Sequence, residues 1–189
     1  MTLRPTVFLD RDGTLNQPVV CEGKPYPPTN PAEFRLYDGV PEACARLKAA
    51  GWVLVVVTNQ PDVARGDQTK EMVETMNRQL LALIPSIDRI EVCYAPGRGV
   101  EHPENYRRKP APGMLRDAAA VLALDLARSW MVGDRWADID AGHAAGCRTV
   151  FIDRNYVERG PGTPPHFTVK SFSEAEKVIQ DAIMPRQLL

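Results

Sequence analysis

Short, unbroken apolar runs alternate along this chain with longer stretches of helical periodicity, and most of the runs end abruptly in polar residues. Val7-Phe8-Leu9, following Pro5, reads as a first buried strand. Trp52-Val53-Leu54-Val55-Val56-Val57 reads as a second, continuous and rich in β-branched residues. Ile90 to Tyr94, Arg128 to Gly133, and Gly146 to Ile152 give a third, fourth and fifth, with Phe167 to Val169 as a short edge strand. Between them lie helical patterns. Pro41 opens one that Gly51 ends, and Met72, Met76, Leu80 and Leu83 or Ile84 mark the buried face of another from about Thr69 to Leu83. A third runs from Pro112-Gly113 through Leu124, and a short fourth is filled by Ala137 to Ala145. Ser173 to Glu176 reads as a capping box into a last helix ending near Met184. Strands alternating with helices predict an α/β fold around a parallel sheet. The prediction for residues 1–189 is one domain without repeats.

Two segments fall outside this alternation. From Pro18 to Pro31 the chain carries five prolines and reads as an irregular loop. A second long loop, Ala95 to Pro112, holds Gly97, Gly99, His102 and the dense basic cluster Arg107-Arg108-Lys109. Elsewhere charge is balanced, with 23 basic and 24 acidic residues and a formal net charge of -1. That balance predicts no nucleic-acid partner and no attraction to an acidic membrane. The four cysteines, Cys21, Cys44, Cys93 and Cys147, are dispersed and form no C-x-x-C pair, so no disulfide scaffold or compact zinc site is expected. No signal-peptide pattern and no long apolar run occurs, which predicts a cytoplasmic protein, as a monomer or small homo-oligomer.

The chemistry gathers at the strand ends. Asp10 and Asp12 follow the first strand in Asp10-Arg11-Asp12-Gly13-Thr14-Leu15-Asn16, where the turn at Gly13 brings both carboxylates over one small space. A carboxylate attacks phosphorus, and a neighbouring Mg²⁺ relieves its repulsion from an anionic substrate. An acidic calcium loop or a solvated turn is the competing reading, but the closing Glu of a calcium loop is missing. The second strand ends in Thr58-Asn59-Gln60-Pro61: Thr58 is suited to a phosphoryl oxygen, and Asn59 to a carboxylate, to substrate or to a cap. Arg65 fits an anion or a solvated charge. Lys109 stands just ahead of a helix N-terminus, where ammonium and free N–H groups together would take an anion. The fourth strand ends at Gly133-Asp134, with Asp138 one helical turn on, suited equally to metal support and to helix electrostatics. Three converging carboxylates suit Mg²⁺ better than zinc.

Taken in order, Asp10-Arg11-Asp12-Gly13-Thr14, Val57-Thr58-Asn59, Lys109, and Gly133-Asp134 with Asp138 resemble the four signatures of the haloacid-dehalogenase-like (HAD) phosphohydrolases over nearly the whole chain. Arg65-Gly66 and Arg108-Lys109-Pro110 with Pro112-Gly113-Met114 look more specifically like the branch holding the heptose 1,7-bisphosphate 7-phosphatases and bacterial histidinol-phosphatases. The resemblance implies a three-layer α/β/α fold with sheet order 3-2-1-4-5 and no large cap. It implies Asp10 as the nucleophile of an aspartyl-phosphate and Asp12 as the acid, then base. Asp10, Asp134 and the backbone carbonyl of Asp12 would coordinate Mg²⁺, supported by Asp138. Thr58 and Lys109 would bind the phosphoryl group, and Asn59, Arg65 and Arg108 the rest of a small phosphorylated sugar.

One departure stands out. Members of that branch carry Cys-x-His and Cys-x-Cys zinc ligands ahead of the lysine. Here the matching positions are Ala95 and Gly97, then Asn105 and Arg107, and the remaining Cys93 and His102 cannot make a four-ligand site, so zinc is not expected. The site is expected to be open, rimmed by residues 17–36, 60–67 and 95–108. A phosphate-binding or scaffold protein on the same fold is the non-enzyme alternative.

Overall fold

The structure is a computed structural model and describes residues 2–97 and 99–182. In chain order come β1 (Thr6–Leu9), β2 (Val19–Cys21), β3 (Lys24–Tyr26), α1 (Val40–Ala49), β4 (Val53–Asn59), α2 (Pro61–Arg65), α3 (Lys70–Leu83) and β5 (Arg89–Cys93). Then follow α4 (Gly113–Leu122), β6 (Trp130–Gly133), α5 (Trp136–Ala145), β7 (Arg148–Ile152), β8 (Phe167–Val169) and α6 (Phe172–Asp181), with a 3₁₀ turn at Leu126–Arg128.

The apolar runs pair because a strand without a polar face has to be covered on both sides. All six form one sheet in the order β5-β4-β1-β6-β7-β8, parallel throughout. The central strand places Phe8 beside Val55 of β4 and Met131 of β6. Alternation along β1 decides which layer each side chain joins. Val7 and Leu9 pack with Leu47 of α1, Leu80 of α3 and Ile179 of α6, whereas Phe8 packs with Leu115 of α4 and Ala141 of α5. Helices therefore cover both faces. Each large aliphatic side chain buried in these layers contributes about 2 kcal/mol.

The first five strands of this sheet take the expected order 3-2-1-4-5, and β8 extends one edge. Four local expectations change. The proline-rich loop forms an antiparallel hairpin, because Glu22 (φ 49°) and Gly23 (φ 73°) make the two-residue left-handed turn that joins strands tightly. The segment after Thr58 becomes the short helix α2 rather than a turn. The last helix starts two residues earlier: Ser171 accepts from the Glu174 amide, and Glu174 accepts from the Lys170 amide. Its expected end near Met184 lies outside the described residues. Lastly, the lysine before α4 does not share an anion site with that helix's first amide, since the Gly113 N–H is taken by the Tyr106 carbonyl. Among the described residues the excursion after β1 holds one hairpin and no large cap, so the C-terminal edge of the sheet stays accessible.

Candidate active site

At that edge β1, β4 and β6 end side by side, which is where an open parallel sheet forms its crevice. Asp10 follows β1 and is fixed by its amide donating to the Val132 carbonyl at 2.9 Å. The chain then turns tightly: the Leu15 amide donates to the Arg11 carbonyl, and the Gly13 amide to the Asn16 carbonyl. Gly13 has φ 95°, and a Cβ there would lie 1.8 Å from Asp134 Oδ2, so only glycine lets the turn approach that carboxylate.

The expected residues divide into two groups. Asp10, Asp134 and Asp138 converge, each offering an oxygen within 4.8 Å of the others, and all three are buried. Lys109 Nζ stands among them, donating to Asp10 Oδ1 (2.5 Å) and to the Val57 carbonyl (2.7 Å) and pairing with Asp138 Oδ1 (2.6 Å). Asp138 also accepts from the Arg135 amide at the start of α5, so it serves the helix end as well as the crevice. Asp12 turns away from this group, its carboxylate accepting from Arg11, from Asn16 Nδ2 (3.0 Å) and from Gln60 Nε2 (2.7 Å).

Electrostatically the convergent group is short of positive charge. Burial pushes Asp10 up to about 7, opposed by Lys109 and reinforced by Asp138 and Asp12. Asp134 is raised well above the carboxylate range by burial and then by Asp10 and Asp138. Burial disfavours the Lys109 ammonium, but Asp10 and Asp138 outweigh it and hold the group above the ordinary lysine range. One ammonium faces three carboxylates, and the buried Asp134 Oδ2 has no hydrogen-bond partner among the described residues. An oxygen-ligated divalent cation fits that donor set and that orphaned atom.

Thr58 lies at the end of β4 and its Oγ1 accepts from Gln60 Nε2 at 2.9 Å. The Asn59 amide is engaged at both ends by the Lys109 backbone, donating to its carbonyl (3.0 Å) and accepting from its N–H (3.1 Å). Asn59 thus positions the lysine as well as lining the cleft. Arg65, on α2, pairs with Asp62 and donates to the Pro96 carbonyl, and Arg108 donates to the Ala95 carbonyl. Burial and the nearby Arg65 pull the Arg108 guanidinium down. Both arginines border the same cleft of about 390 Å³ as Asp10, Asp12, Thr58 and Lys109.

Two contributors had no assigned task in the sequence. Gln60 is buried and bridges Asp12 to Thr58. Arg11 is fully buried, pairing with Asp12 and donating to Asn77 Oδ1 of α3. The available signal was a polar residue inside an apolar helix face, Asn77 next to Met76.

A parallel α/β/α sheet carrying an acid after its first strand, Thr58 at the end of its second, and Lys109 beside Asp10 defines the class of HAD-like phosphatases. The HAD-hydrolase-like family model matches residues 106–175. The chain belongs to the family of the D-glycero-β-D-manno-heptose-1,7-bisphosphate 7-phosphatases. It is 40% identical to the Yersinia pestis enzyme of that name over 79% of this chain and 80% of that one. It is 35% identical to the Mesorhizobium japonicum enzyme over 92% of this chain and 79% of that one. Among solved structures, D,D-heptose 1,7-bisphosphate phosphatase from B. bronchiseptica, complexed with magnesium and phosphate, superimposes with a TM-score of 0.77. It is 29% identical and spans 94% of this chain and 99% of that one. A HAD-like phosphatase from Mesorhizobium loti gives 0.75 at 32% identity, over 98% and 90%. The chain is a phosphatase, and its class uses a divalent metal. No helix among the described residues is long and apolar enough to cross a membrane.

Proposed function

We propose that the chain is a magnesium-dependent phosphatase of small phosphorylated sugars, removing the 7-phosphate of D-glycero-β-D-manno-heptose 1,7-bisphosphate. The observation that carries this reading is the pairing of Asp10 with Lys109 at the foot of a cleft whose rim holds Arg65 and Arg108. Two guanidiniums on neighbouring carbonyls, with Asp62 as a single acidic partner of Arg65, suit a second phosphate that does not react.

In this reading an Asp10 oxygen attacks phosphorus as the bond to the sugar oxygen breaks, and Asp12 gives that oxygen its proton. Water then attacks the aspartyl-phosphate, Asp12 takes its proton, and phosphate leaves with Asp10 restored. Gln60 keeps Asp12 beside Thr58, and Lys109 and Thr58 hold the phosphoryl oxygens as charge spreads onto them. Asp10, Asp134 and the Asp12 carbonyl would hold Mg²⁺, with Asp138 in support, and a cation bound there would neutralise charge on nucleophile and phosphoryl group. Zinc has no part in the proposal: Arg107 pairs with Glu91, Glu104 and Asp117, which supports a 95–108 loop organised by ion pairs. Four free thiols suit a reducing cytoplasm.

The test is phosphate release from heptose 1,7-bisphosphate, its 1-phosphate and histidinol phosphate. The bisphosphate should give the highest kcat/KM and lose its 7-phosphate. Preference for histidinol phosphate, or equal turnover of all three, would defeat the substrate assignment.

A further inference from the structure

We propose that Trp136 and Glu158 form a sugar-recognition wall that sets specificity, in the cleft that also holds Arg65 and Arg108. This deepens the phosphosugar reading above and rests on it.

Both residues line the cleft that holds Asp10 and Lys109. Glu158 is mostly buried, and each of its oxygens accepts from Arg135: Oε1 from Nε at 2.9 Å and Oε2 from Nη2. A carboxylate oxygen has room for a second donor, so both can still take a hydroxyl hydrogen. Because Arg135 already balances its charge, the pair offers hydrogen bonds without attracting or repelling a phosphate. That contrasts with Arg65 and Arg108, of which Arg65 pairs with Asp62 while Arg108 donates to the Ala95 carbonyl. The cleft lining thus offers two guanidiniums for phosphate and, at the Arg135–Glu158 pair, charge-balanced acceptors for hydroxyls.

Trp136 opens α5 directly beside this pair and is half-buried. The Arg159 guanidinium stacks over its ring, 3.3 Å from the centroid, and reaches Asp140 at 3.7 Å. A ring braced from one side is a rigid apolar surface, suited to the C–H face of a polyol whose hydroxyls reach Glu158. The wall is also tied across the mouth of the cleft. The Val157 amide donates to the Gly23 carbonyl at 3.0 Å, and a Cβ on Gly23 would lie 2.7 Å from Val157 Cγ2. The hairpin tip thereby fixes the residue next to Glu158, so little ordering remains to be done when a sugar enters.

The test compares kcat/KM for heptose 1,7-bisphosphate with that for ethyl phosphate, which presents neither hydroxyls nor a ring-sized face. In Trp136→Leu and in Glu158→Gln the ratio of the two should fall by about threefold or more, chiefly through KM for the sugar. A ratio closer than that to the parent value overturns the role of the residue concerned, because a merely structural defect lowers both substrates together. Should Trp136→Leu fail to fold, Trp136→Phe, which keeps a smaller ring, has to show the same direction. A parent protein that hydrolyses ethyl phosphate but no sugar bisphosphate overturns the phosphosugar reading itself, an outcome distinct from unchanged ratios in the variants.

Discussion

Gln60 carries two duties with one amide nitrogen, donating to Asp12 at 2.7 Å and to Thr58 at 2.9 Å. Gln60→Leu keeps much of its volume and removes both bonds. If Asp12 transfers the proton as proposed, the expected result is a fall in kcat of about tenfold or more with a smaller change in KM, because that transfer depends on where Asp12 points. A change in KM alone would contradict this. Such a residue shows how far single positions are legible. Asp10, Asp12, Lys109 and Asp134 stand out in the sequence because each follows a strand, or precedes a helix, whose pattern is unmistakable. Gln60 and Arg11 do not, since their partners come from β1, β4 and α3, and nothing in local spacing says that these meet. His166, which has no ligand-like neighbour in sequence and reads as solvated, is exposed; what spacing does not reveal is that its Nδ1 accepts from the Thr149 amide at 3.1 Å and its ring stacks on His143.

At the scale of elements, Asn59 fastens the end of β4 to the residue that delivers Lys109. Asn59→Ala breaks both bonds to the Lys109 backbone and should cost about 1–3 kcal/mol in stability by denaturant titration, together with activity. Loss of activity at unchanged stability would mean that Asn59 acts on substrate alone. The junction of α5, β7 and β8 gives a pH dependence. Burial, then His143 and Arg148, lowers the His166 pKa from the ordinary 6.5. The folded protein therefore binds that proton less readily than the unfolded chain. The contribution to stability is complete above 6.5 and is lost as pH falls through the lowered value. Thermal scans at about pH 7.5 and about pH 5.5 should show a larger loss for the parent than for His166→Asn, which keeps an acceptor without titrating. Equal losses would exclude His166. The hairpin was hidden for a different reason: Pro25 lies within β3, paired with Val20, and proline argues against a strand except at an edge such as this.

For the whole molecule, the alternation of apolar runs and helical faces is sufficient for an α/β fold around a parallel sheet and for its central strands, whereas the layer and strand order follow from the family resemblance. It does not determine how the two long loops are held. The 95–108 loop closes on ion pairs, as Arg107 meets Glu91, Glu104 and Asp117, while Cys93 Sγ and His102 Nδ1 make hydrogen bonds within it. Metal analysis after dialysis should therefore find no stoichiometric zinc, and magnesium should raise the thermal midpoint by occupying the carboxylate cluster. Retained zinc, or a midpoint indifferent to magnesium, would contradict this. The central claim is that Asp10 attacks the phosphorus of a sugar phosphate. Its most direct test is an acid-quenched single turnover with heptose 1,7-bisphosphate radiolabelled in its 7-phosphate, followed by peptide mapping. The account predicts a hydroxylamine-labile label on the peptide containing Asp10, absent in Asp10→Asn, which should also lose activity by about a thousandfold or more. Full turnover by Asp10→Asn, or label on another residue, would contradict it.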